Sequence, residues 1–234
     1  MKNNNIDNQA SQNFKRAALP LIIFTNLFPI YGVITYNWTI FSIVYLYWLE
    51  LLIVSTFQLL KILTAEGDKE ITMIGKLFLA IRFFLFRTGI FLFYLLFIVT
   101  FLGLLITNKE NSDSELLTFA HALTLKGSFY RITLTSFFIY NLVEYLVQFR
   151  LNGKYKTSTP NDNFTLLDPH IIVVHIVVVL GTFLYAGVTE KLSLDHHTAI
   201  IACAILFAIV KIIADVVRYQ MSDKSATISS EKYI

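Results

Sequence analysis

Apolar residues in this chain come in long runs separated by shorter polar stretches, the pattern of segments that cross a lipid bilayer. About 30 Å of hydrocarbon at about 1.5 Å per residue calls for roughly 20 residues, and six runs approach that length. They cover about Ala17 to Tyr36, Thr39 to Leu60, Thr88 to Thr107, Phe129 to Arg150, Pro169 to Val188 and Thr198 to Val217. The first two are joined at Tyr36-Asn37-Trp38, which predicts a tight hairpin. Asp168-Pro169 supplies an N-cap and an N1 proline to open the fifth.

Two further segments have the composition of helices lying on the membrane. Ile71 to Phe86 mixes Phe and Leu with Lys76 and Arg82, which suits an interfacial helix at an anionic inner leaflet. Its charges do not fall on one face, so a long tilted third span is the alternative. Asp113-Ser114-Glu115 is placed to cap a short outer helix running to Leu125, with His121 as an exposed interfacial residue. The stretch from Asn152 to Leu167 is polar, carries Pro160 and reads as a solvated linker. The predicted fold is therefore all-α: a polytopic membrane helix bundle of about six transmembrane helices plus an inner-face interfacial helix.

By the same pattern the chain divides into a polar leader over 1–16, a six-span domain over 17–220 and a polar tail over 221–234. Leader and tail have too few apolar residues to order themselves and are expected to be loose. Lys15 and Arg16 precede the first run as in a secretory signal, but that run is too long for an h-region and lacks a small-x-small cleavage site, so it reads as retained.

Composition strengthens the membrane reading: 56% of residues are hydrophobic, more than a soluble core of this size would use. The formal net charge of +3 is spread out and no basic stripe is interleaved with aromatics, so nucleic acid is not an expected partner. Lys and Arg favour the cytoplasmic side of a membrane. With the N-terminus inside, fifteen of them fall on the inner side and four, Lys109, Lys126, Arg131 and Lys191, on the outer. An odd number of spans would break that bias. The expectation is a cell (inner) membrane protein with both termini cytoplasmic.

Ionisable residues inside apolar spans are costly and are functional candidates by default. Glu50, Glu144 and Asp215 lie in the second, fourth and sixth spans, and Lys211 precedes Asp215 by one helical turn. Glu50 falls about 15 Å from the inner end of its span, near the midplane, and Glu144 about 9 Å from the end of its own. Asp215 falls in the last inner turn. His175 enters from the fifth span at about 7 Å from His170, which puts Glu144, His175 and Lys211 in the same inner third. Residues at i, i+3 and i+4 share a face, so Ala204, Ala208, Lys211 and Asp215 form one stripe that should look into the bundle. Tyr47, Glu50 and Gln58 form a second, and Tyr140, Asn141, Glu144 and Gln148 a third. In the first span Asn26 and Thr25 lie just before Pro29, whose ring removes a backbone hydrogen bond and prepares a kink suited to an ion or water.

Each of these has a structural reading beside it. Lys211 and Asp215 neutralise one another at i, i+4, and Lys211 can snorkel. Glu144 pairs with His175 or Lys211 as a helix lock, and Glu50 alone has no local partner. Asp195-His196-His197 near Glu190 holds metal-capable groups in a weak arrangement, and the lone Cys203 excludes a disulfide framework or a cysteine zinc site. No HExxH, GxSxG or Gly-rich phosphate loop is present, and no metal or other cofactor is expected.

Asn26-Leu27-Phe28-Pro29-Ile30-Tyr31-Gly32, then Tyr47-Trp48-Leu49-Glu50, then Lys211 and Asp215, resemble the pattern of an uncharacterised family of bacterial and archaeal multi-pass membrane proteins. The resemblance spans most of the membrane core and implies a similar compact bundle, with no catalytic assignment. Three functions follow from the residues. The first is a small transporter or ion- or proton-coupled permease using Glu50, Glu144, His175, Lys211, Asp215 and Asn26. Six spans are few for a complete path, so a homodimer is expected there. The second is a noncatalytic subunit or scaffold bound to other membrane subunits, and the third an inner-leaflet enzyme using Glu144 and His175, with Asp168 and His170 as further candidates, as acid, base or metal ligands. The lipid bilayer is a partner in all three.

Overall fold

The computed structural model describes residues 2–97, 128–165, 171–172, 175–176, 187 and 196–231. Among these the regular structure is all helical: α1 (Lys2–Tyr36), α2 (Ile40–Thr64), α3 (Met73–Phe97), α4 (Ser128–Glu144), a π-helical continuation of α4 (Tyr145–Leu151), the short α5 (Lys154–Thr157), a 3-10 turn (Asn161–Asn163) and α6 (His196–Glu231). Five helical segments are long and apolar enough to cross a membrane: Leu19–Tyr36, Ser42–Thr64, Met73–Phe97, Arg131–Leu151 and His197–Val217. Most of the expected fifth span, its Asp168-Pro169 opening, the outer helix with His121, and Glu190 and Asp195 lie outside the described residues.

The hairpin between α1 and α2 is as tight as its sequence suggests. Asn37 takes a left-handed φ of 50°, a conformation that Asn tolerates better than most residues. Thr39 then caps α2, its hydroxyl accepting from the Ser42 N–H at 3.3 Å. Trp38 folds back so that its ring lies where a Cβ on Gly32 would stand, 2.5 Å from the nearest ring atom. Only glycine leaves room for that reversal.

α3 bears on the expected surface helix. Residues 73–97 form one uninterrupted helix, about 37 Å long, with no break before Thr88. Its buried residues Ala80, Phe83, Arg87 and Tyr94 follow one face, while Ile74, Phe78, Leu85 and Leu92 face outward. As one helix, α3 is long and apolar enough to be the long third span given above as the alternative, and Arg87 is buried on its inward face.

The leader and tail also differ from expectation, because α1 begins at Lys2 and α6 continues to Glu231. Neither 2–16 nor 218–231 contains Gly or Pro, so nothing in those stretches ends a helix already nucleated in the span. The 152–165 linker is not a free loop. The Glu66 N–H donates to the Tyr155 carbonyl at 2.7 Å and the Gly67 N–H to that of Ser158 at 3.0 Å. Phe164 packs edge-on against Phe83, and the Arg82 guanidinium lies over the Phe164 ring at 5.3 Å from its centroid. This binds the connection after α4 to the one after α2, at one end of the bundle.

α1 packs chiefly on α6, and α2 chiefly on α3 and α4. The core between them is built from Val33, Val44, Leu46, Tyr47, Cys203 and Ala204 with their neighbours. Ala199, Cys203, Ala204, Phe207, Ala208 and Lys211 are all buried along one side of α6, the face expected from their spacing. Small residues there let α1 approach closely.

Candidate functional site

Three helices bring ionic and amide groups together inside this core. From α6, the Lys211 ammonium, 1% exposed, donates to Asp215 Oδ2 at 2.6 Å on its own helix and to Glu50 Oε1 at 2.9 Å on α2. From α1, Asn26 Nδ2 donates to the same Asp215 oxygen at 2.9 Å and to the Ile22 carbonyl at 2.9 Å. Tyr47, one turn before Glu50, is buried and close enough to Glu50 and Asp215 to feel their charge. Its hydroxyl has no hydrogen-bond partner among the described residues, nor does Asn26 Oδ1.

The levels match because of the hairpin. Asn26 lies ten residues before the end of α1 and Glu50 ten residues after the start of α2, so each is about 15 Å from the turn. That is about half the thickness of a bilayer's hydrocarbon core. Asp215 shares that level through Lys211 and lies in the last turn of the apolar part of α6, which ends at Val217, while the helix itself continues to Glu231.

Pro29 shapes the α1 contribution. It has no N–H for the Thr25 carbonyl one turn earlier, and the neighbouring side chains bond the backbone above it. The Thr25 hydroxyl donates to the Leu21 carbonyl at 2.9 Å. A polar turn thus faces the charged cluster.

The remaining candidates separate into other places. Glu144 pairs with Lys61 of α2 at 3.1 Å and does not bond to His175 or Lys211. Glu50 and Lys61 lie three turns apart on nearly one face of α2, so the pair forms a second ionic contact nearer the loop end. Beside it, the Tyr145 and Thr64 hydroxyls meet at 3.1 Å. His175 Nδ1 instead meets the Tyr94 hydroxyl of α3 at 3.0 Å. The expected inner-third group of Glu144, His175 and Lys211 is replaced by three separate partnerships, because helix rotation as well as depth decides which residues meet.

Sequence reasoning did not single out Lys61, Tyr94 or Arg87. Lys61 falls one residue past the apolar run assigned to α2, where a lysine ordinarily reads as a headgroup contact. Arg87 is buried, its Nη2 donating to Gln58 Oε1 at 2.5 Å and to the Thr165 carbonyl at 3.0 Å, with its guanidinium over the Phe83 ring. Its signal was available: Ala80, Phe83, Arg87 and Tyr94 share one helical face only if the helix runs through Thr88. Among the described residues no three His, Cys, Asp or Glu side chains are gathered to hold a metal.

A family model covers residues 8–232, the whole of the bundle just described. The chain belongs to DUF6498, a family of unknown function. No curated protein and no solved structure matches it. The DUF6498 match spans all five helices that are long and apolar enough to cross a membrane, and so includes the whole Asn26–Asp215–Lys211–Glu50 cluster.

Proposed function

We propose that this protein is a small ion- or proton-coupled membrane transporter whose coupling site is the Glu50–Lys211–Asp215 cluster with Asn26. The observation that carries this reading is one buried ammonium held between two carboxylates from different helices, at 2.9 and 2.6 Å. Burying such charges costs several kcal/mol per ion after relaxation, and apolar residues of equal size would pack the core as well or better. Ionisable groups kept at that depth commonly mark ion paths and proton relays. The proline in α1 beside the cluster supports the same reading, since it offers no N–H to the Thr25 carbonyl one turn earlier, next to the charged groups.

In this reading the termini are cytoplasmic, the protein sits in a cell membrane, and two copies together form the path. The enzyme reading loses its acid–base pair, because Glu144 and His175 bond to different partners. The test is transport by purified protein in liposomes under an imposed pH gradient, followed with a trapped pH dye while candidate solutes are added. Solute-dependent proton movement that Glu50→Gln reduces by about tenfold or more, equivalent to about 1.4 kcal/mol, is the expected result. Equal movement in the variant sinks the reading.

A further inference from the structure

The two carboxylates around Lys211 are not equivalent. Asp215 is on the same helix, one turn away, and its Oδ2 accepts from both Lys211 and the Asn26 amide. Two N–H donors thus converge on one Asp215 oxygen, one from its own helix and one from α1. Glu50 reaches Lys211 from α2, and α2 otherwise leans mainly on α3 and α4 while α6 leans on α1. The Lys211–Glu50 bond is thus a polar tie between α2 and α6 beside the apolar core they share, whereas the Lys211–Asp215 bond lies within α6 and the Asn26–Asp215 bond joins α1 and α6.

We propose that Glu50 is a proton-binding site, and that its protonation unties α2 from the α1–α6 pair. A neutral Glu50 attracts Lys211 far less than a carboxylate does. The loss leaves no stranded buried cation, because Asp215 remains as the partner of Lys211 at 2.6 Å. Stranding is the ordinary obstacle to opening a buried ion pair. Here the second carboxylate removes it, so the transition connects two satisfied states. No covalent bond changes: the proton passes from water to a Glu50 carboxylate oxygen and returns the same way.

Among the described residues, the groups facing this step come from three helices. α6 supplies Lys211 and Asp215, α1 supplies Asn26, and α2 supplies Tyr47 beside Glu50 itself. The Tyr94–His175 contact and the Lys61–Glu144 pair make their own bonds and do not include Lys211. Tyr47, one turn before Glu50 on α2, has a buried hydroxyl without a partner among the described residues.

This inference rests on the coupling site just proposed, and its test does not use transport. Infrared difference spectra on acidifying the full-length protein in lipid should show a new protonated-carboxyl band that shifts with isotope-labelled glutamate and not with labelled aspartate. The band should be lost in Glu50→Gln. Spin labels on α2 and α6 at the exposed positions Thr56 and Ile213, in a Cys203→Ser background, should report a longer separation as pH falls. In Glu50→Gln the longer separation should be present at every pH. A band that follows labelled aspartate, a band that survives Glu50→Gln, or a wild-type separation indifferent to pH overturns the proposal. Should Glu50→Gln fail to fold, labelled glutamate and the wild-type separation decide alone. Absence of transport beside an intact band and separation shift would remove the transporter reading and leave this one standing.

Discussion

At Lys211 one side chain makes two charged connections, and its neighbours differ in how much they depend on it. Removing the ammonium by Lys211→Met leaves two buried carboxylates without their shared cation, a change that costs roughly 3–5 kcal/mol in comparable buried pairs. Glu50→Gln removes one charged hydrogen bond and leaves the other, for a smaller loss of roughly 1.5–3 kcal/mol. Thermal unfolding in mild detergent should therefore rank Lys211→Met well below Glu50→Gln, and equal transitions would show that Asp215 does not hold Lys211 by itself. The spacing of Lys211 and Asp215 was readable in the sequence, because i, i+4 neighbours meet within one helix. Glu50 was readable only as a problem, since its partner lies 161 residues away.

Among the elements, the α1–α2 hairpin fixes the level at which Asn26 and Glu50 meet, and Gly32 fixes the hairpin. A side chain at Gly32 runs into the Trp38 ring, and overpacking of this kind costs about 1–3 kcal/mol. Gly32→Val should lower the unfolding temperature, and Trp38→Ala in the same chain should recover part of it. A Gly32→Val protein as stable as the parent would mean that the turn does not need the ring there. The π-helical stretch after Glu144 was invisible beforehand: apolar periodicity marks a helix but not one widened turn, and the Asn152 N–H to Val147 carbonyl bond at 3.1 Å appears only with coordinates. Within that stretch Tyr145 and Phe149 are stacked, with the Tyr145 hydroxyl against that of Thr64.

For the molecule as a whole, the bonds between Glu66 and Tyr155 and between Gly67 and Ser158 require the connections after α2 and α4 to lie at the same end. The α1–α2 turn lies at the other end of α2. Single cysteines at Asp68 and Asp162 should then react with a membrane-impermeant reagent from one side of sealed vesicles, and a cysteine at Asn37 from the opposite side, all in a Cys203→Ser background. Labelling of all three from one side would refute the arrangement. Along α3, residues such as Phe78, Leu85 and Leu92 point away from the bundle, an apolar surface suited to lipid.

The sequence by itself determined that this is a helical membrane bundle, because run length and hydropathy answer to the bilayer without reference to any neighbour. It also determined the buried stripe of α6 and the tight first hairpin, both set by residues within a few positions of one another. The tertiary structure alone decided which charges meet. Depth along a span follows from counting residues, but partnership needs the rotation of each helix about its axis and the order in which helices stand around the core, and neither is a local property of the chain. That is why Glu144 could be placed in depth and still be given the wrong partner, and why Glu50, the residue with no neighbour in sequence, acquired Lys211.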